Sequence, residues 1–144
     1  MSEPSLALTK DSLELLSLAT KARDKAYVPY SKFRVGVALR TRSGTVHVGC
    51  NIENASYPEG WCAETSAISA MIMASDGAGS SEIEELVVVA EHSQPITPCG
   101  GCRQRIKEFG TPETVIHSAD LNGIQKSFTL AGLLPAAFDL KAEE

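Results

Sequence analysis

Leu86-Val87-Val88-Val89-Ala90 is apolar at every position. A strand with one wet face alternates apolar and polar residues, so this run predicts a strand covered on both faces. It falls far short of the roughly 20 apolar residues that a membrane-crossing helix needs. Helical patterns flank it. Upstream, a helix is predicted to begin near Cys62, with Ala63, Ala67, Ala70, Met71 and Ala74 as its buried stripe and Asp76 to Ser81 as the loop behind it. Downstream of a loop at 95–98, Cys99 to Phe109 reads as a helix with Ile106 and Phe109 inward, and Val115 to Ser118 as a short strand. Strands alternating with helices predict an α/β fold, a three-layer αβα sandwich with a central mixed sheet.

The N-terminal part adds a helix and a hairpin. Leu15, Leu18, Ala19, Ala22 and Ala26 recur at helical spacing across Lys10 to Tyr27, and Pro29 stops the pattern. From Arg34 to Arg42, Val35, Val37 and Leu39 face one way, and Gly36 and Ala38 face the other. That predicts a strand whose second face lies close to another element. Ser43-Gly44 is turn sequence, Thr45 to Cys50 the returning strand, and Asn51 to Trp61 a polar loop. A short helix from Thr129 to Leu134 closes the pattern. Residues 1–144 read as one domain, with 1–9 as a loose leader and 139–144 as a solvated acidic tail.

The 144 residues include 13 basic and 18 acidic side chains, for a net charge of −5. Polynucleotide binders usually carry a basic stripe, and here the densest basic stretch is spread along the predicted strand at 34–42. The balance favours a small-molecule partner, with no polynucleotide and no membrane. The N-terminal residues hold no long apolar stretch, which predicts a cytoplasmic protein in which Cys50, Cys62, Cys99 and Cys102 stay free of disulfides.

Two segments carry chemistry: Cys62-Ala63-Glu64 and Pro98-Cys99-Gly100-Gly101-Cys102. A Cys-x-x-Cys turn brings two sulfurs to one ion, and Cys62 offers a third. All stand at predicted helix starts, where backbone N–H groups favour the thiolate. Three thiolates leave one position of a tetrahedral zinc open to water, which is a catalytic arrangement. Residues i and i+2 do not share a face of a regular helix, so Cys62 is expected at the helix start with Glu64 in the first turn. There the carboxylate takes a proton from water and returns it. This is the signature of the zinc deaminases. The rival is a closed structural site with Cys50, His47, His92 or His117 as fourth ligand; Glu64 beside Cys62 argues for the open one. Cys50 alone reads as a small buried residue, and the histidines as surface or internally satisfied groups.

The chain resembles the cytidine deaminase family, of the small homotetrameric zinc-dependent type. Four segments carry the resemblance in order: Pro29-Tyr30-Ser31-Lys32-Phe33-Arg34-Val35-Gly36, Asn51-Ile52-Glu53-Asn54-Ala55-Ser56-Tyr57, Pro98-Cys99-Gly100-Gly101-Cys102-Arg103-Gln104 and Leu133-Leu134-Pro135-Ala136-Ala137-Phe138. It implies a cytidine deaminase-like fold and hydrolytic deamination of cytidine and 2′-deoxycytidine in pyrimidine salvage. It also implies one Zn²⁺ per subunit on Cys62, Cys99 and Cys102, with Glu64 as proton shuttle. By the same resemblance Asn51 and Glu53 hold the ribose, Phe33 stacks on the base, and backbone groups near Ala63 and Thr97 contact it. Phe138 would reach a neighbouring subunit's site in a homotetramer. An aminonucleoside-antibiotic deaminase shares the metal motifs, but the segment from Asn51 to Tyr57 suits ordinary ribose. A silent zinc protein that binds nucleosides is the rival from outside enzymology.

One position departs from the family pattern. The family usually has Arg directly after the catalytic Glu, and this chain has Thr65. Thr65 offers a hydroxyl without charge, so Thr65 and Arg103 are the candidates for supporting the sulfurs from behind.

Overall fold

Leu86 to Ala90 is indeed covered on both faces, each residue 2 % exposed or less. The computed structural model describes residues 8–140; residues 1–7 of the predicted leader and 141–144 of the predicted tail lie outside the described residues. Along the chain run α1 (Lys10–Arg23), β1 (Val35–Thr41), β2 (Val46–Cys50), α2 (Ala63–Ala74), β3 (Ile83–Ala90), α3 (Gly100–Phe109), β4 (Val115–Asp120), β5 (Gly123–Thr129) and α4 (Leu130–Leu133). The sheet order is β2-β1-β3-β4-β5. Only the β3–β4 pair is parallel, joined through α3; the other neighbours are antiparallel, so the sheet is mixed.

The pleat of β3 divides the core in two. Leu86 and Val88 join Val37 and Leu39 of β1 against Ala63, Ala67, Ile68 and Met71 of α2, Ile106 of α3, and Leu130 and Leu133 of α4. Val87 and Val89 join Ala38 against Leu15 and Ala19 of α1. One helix covers one face and three cover the other, which makes the three layers.

β1 lies hard against α1, as its small residues predict. A Cβ on Gly36 would stand 2.1 Å from the Ala19 carbonyl oxygen and 2.4 Å from the Arg23 nitrogen. Only a hydrogen fits there. α1 is shorter than its periodicity suggests: it ends at Arg23, with Asp24 as its C-cap, and not at Tyr27. Ala26 is buried all the same, in a segment whose next residue, Tyr27, donates its N–H to the Asn51 carbonyl. Burial beyond the helix end had extended the apolar pattern. At the other end Thr9 caps α1 through a reciprocal pair with Ser12, so it is not loose chain. Asp139, placed in the predicted tail, accepts from Lys107 Nζ at 2.7 Å.

Two further differences stand out. β5 has no counterpart in the apolar pattern of the sequence. In α2 the buried residues are Ala63, Glu64, Ala67, Ile68 and Met71; Ala70 is half-buried and Ala74 exposed.

Beneath α1 lies a buried polar cluster. Ser12 Oγ donates to Glu85 Oε2 at 2.5 Å, His117 Nε2 lies 2.6 Å from the same oxygen, and Arg40 Nη2 donates to Oε1 at 3.0 Å. Burial pushes the Glu85 carboxyl up, but His117, Ser12 and Arg40 together hold it down at about 2. His117 is therefore an internally satisfied residue.

Candidate metal centre

β2 seats the start of α2. A Cβ on Gly49 would stand 2.4 Å from the Ala67 nitrogen and 2.6 Å from the Ala63 carbonyl oxygen. The bare glycine lets the first turns of α2 rest on the strand. Ser66 Oγ donates to the Cys50 carbonyl at 3.0 Å and ties the same turn to the strand end. Cys62 is the N-cap of α2 and Cys99 the N-cap of α3, both with extended backbone and neither sulfur spent on a capping hydrogen bond. Cys102 follows in the first turn of α3 and is fully buried. The fold thus aims two helix N-termini at one point, from segments far apart in sequence.

The three sulfurs lie within 4.8 Å of one another. Tetrahedral zinc with bonds of about 2.3 Å needs sulfurs about 3.8 Å apart, so this group suits the ion with small adjustment. Among the described residues, neither Cys50 nor any histidine joins the group. The Cys102 side chain draws the Cys62 thiol below its usual range, and that same contact, with burial, pushes Cys102 up.

Glu64 sits in the first turn of α2, 5 % exposed. Burial raises its pKa, against opposing pulls from a backbone hydrogen bond, the Cys102 side chain and Arg105. The Thr65 hydroxyl lies 3.9 Å from Cys102 Sγ. Arg103 does not support the sulfurs. Its guanidinium donates to three oxygens, the Pro98 and Leu133 carbonyls and Thr97 Oγ1, at 2.7 to 2.8 Å, and so braces the loop before α3. The cation on sulfur is Arg105, whose Nη1 donates to Cys102 Sγ at 3.5 Å. Its spacing of three from Cys102 on one helix is the signal that could have found it.

Asn51 Oδ1 accepts from the Val35 N–H at 2.9 Å, and its Nδ2 donates to the Phe33 carbonyl at 2.9 Å. Glu53 Oε1 accepts the N–H groups of Tyr30 and Ser31 at 3.0 Å each, and the Ser31 hydroxyl donates to Oε2. The Ser31 hydroxyl is the largest cause holding the Glu53 carboxyl below its usual range. The two side chains therefore pin the segment carrying Phe33, and each keeps hydrogen-bonding capacity to spare. Glu53 also lines a cleft of about 300 Å³ with Tyr30, Ser31, Asn54, Tyr57 and Gly60. Phe33 is half-buried, with His92 edge-on at 6.5 Å between ring centres. Ala63 is buried, and the Thr97 hydroxyl is held by Arg103. Phe138 is 66 % exposed, its carbonyl accepting from Gln104 Nε2.

Three cysteine sulfurs with no fourth ligand side chain among the described residues fit a metal centre of the open, water-activating class. The sequence model of the cytidine and deoxycytidylate deaminase zinc-binding region matches residues 9–118. A cytidine deaminase of Sporosarcina psychrophila is 44% identical over 128 residues, covering 89% of this chain and 91% of the relative. The crystal structure of cytidine deaminase from Burkholderia pseudomallei superposes with a TM-score of 0.81 at 40% identity, over 91% of this chain and all of that one. That from Mycobacterium tuberculosis gives 0.76 at 37% identity, over 92% of this chain and 100% of that one. The chain belongs to the cytidine and deoxycytidylate deaminase family.

Proposed function

We propose that this chain hydrolyses the C4 amine of cytidine and 2′-deoxycytidine, giving uridine or deoxyuridine and ammonia, as a step of pyrimidine salvage. The observation that carries the reading is the three-sulfur group with a buried glutamate in the helical turn that Cys62 opens. Zinc, one per subunit on Cys62, Cys99 and Cys102, supplies a water acidic enough to attack near neutral pH. Glu64 takes a proton from the attacking water and passes protons to ring N3 and the departing amine. One water is consumed and one ammonia leaves. A carboxyl whose pKa is raised by burial suits a group that must both accept and return a proton.

Phe33 stacks on the pyrimidine, Asn51 and Glu53 hold the ribose hydroxyls through their remaining hydrogen-bonding capacity, and backbone groups near Ala63 and Thr97 contact the base. Residues 1–144 act as one catalytic domain in the cytoplasm. The same family likeness supports a homotetramer in which Phe138 reaches the neighbouring site. Among the described residues no helix is long and apolar enough to cross a membrane.

Ultraviolet-monitored conversion of cytidine tests the reaction. Rapid conversion that is lost on chelation and restored by zinc is expected. No conversion by zinc-loaded, folded protein would overturn the reading. Light scattering tests the assembly, and a stable, active monomer would remove Phe138 from the site.

A further inference from the structure

Three thiolates around a dication leave a net negative charge, and here one of the sulfurs is fully buried. Charge in such surroundings is poorly screened and needs a partner. Thr65 contributes a hydroxyl at 3.9 Å and no charge. Arg103 is committed to three oxygens. Arg105 remains: its Nη1 donates to Cys102 Sγ at 3.5 Å, from one helical turn further along α3. The helix that presents the sulfur therefore also presents its counter-charge, at a spacing the backbone sets.

We propose that Arg105 is a positioning residue of the metal centre: its guanidinium donates to the Cys102 thiolate, offsets the charge of the three sulfurs and so strengthens zinc binding. The proposal rests on the zinc reading given above. Groups that support metal ligands from behind are typically worth about 10- to 100-fold in metal affinity.

The test is zinc affinity of the full chain by competition with a chromophoric chelator, together with melting of the metal-free and zinc-loaded forms. Arg105→Gln is expected to bind zinc about 10- to 100-fold more weakly, with Arg105→Lys in between. The metal-free form should melt as the parent does, while the rise in melting temperature on adding zinc shrinks. Unchanged zinc affinity in Arg105→Gln overturns the proposal. So does a lowered metal-free melting temperature with affinity intact, since Arg105 would then serve only the helix. Should Arg105→Gln not fold, Arg105→Met reads the same affinity. A parent chain that binds no zinc overturns the metal reading itself, which separates the two failures.

Discussion

Glu64 stands two residues from Cys62, a spacing that fails on a regular helix and succeeds here because Cys62 is the N-cap and still extended. The carboxyl can then lie beside the sulfurs without competing for the ion. Glu64→Ala should keep zinc and fold while turnover falls by about 10²–10⁴-fold, the usual worth of a positioned acid–base group. Metal content by atomic absorption and activity on one sample check it; substantial remaining turnover would remove the assigned role. The cysteines and Glu64 were legible because ligand chemistry demands those residue types at those spacings. Arg105 was not, because an arginine on a helix ordinarily reads as a solvated face. Glu85 is hidden in the sequence for the opposite reason. It sits next to the apolar run of β3, and nothing in its neighbours along the chain reveals His117 and Ser12.

The helices are set by two glycines that a sequence pattern shows only as small. Gly36 admits α1 to one face and Gly49 admits α2 to the other. Alanine at either position meets backbone, which cannot swing aside, and should cost about 1–3 kcal/mol in urea unfolding. The two variants should part on metal. Gly49→Ala moves the turn that carries Cys62 and should weaken zinc binding, whereas Gly36→Ala should leave zinc affinity near that of the parent. Equal zinc affinity for both variants would mean that α2 does not depend on this seat. The strands and helices with strong apolar pattern were legible, β1 and β3 above all. β5 was not, because it pairs only with β4 at the sheet edge and is nowhere fully buried. An edge strand needs no apolar alternation to form, only a neighbour with free hydrogen bonds.

Across the whole molecule, the cluster around Glu85 should make the fold sensitive to strong acid. The carboxyl is held at about 2 in the fold against an ordinary value of 4.5. A group depressed in this way stabilises fully above its unfolded pKa, and the contribution drains away as the pH falls from about 4.5 toward 2. Glu85→Gln should lose on the order of 3 kcal/mol at pH 7. It should also flatten the fall in stability over that acid range, as denaturant titrations at several pH values would reveal. A variant as acid-sensitive as the parent would shift the acid response to other carboxyls.

Cys62 and Cys99 lie on opposite sides of β3 in sequence: one follows the β1–β2 hairpin, the other opens the β3–α3–β4 crossover. An ion gripping both would work as a clasp between two halves that also meet through the β1–β3 hydrogen bonds, apolar contacts and the polar cluster around Glu85. Peeling α3 away would then mean breaking coordination bonds as well as shedding buried surface. The loaded protein should therefore breathe less along that seam than the stripped one, and slow exchange of the amide hydrogens in the first turns of α2 and α3 would record it.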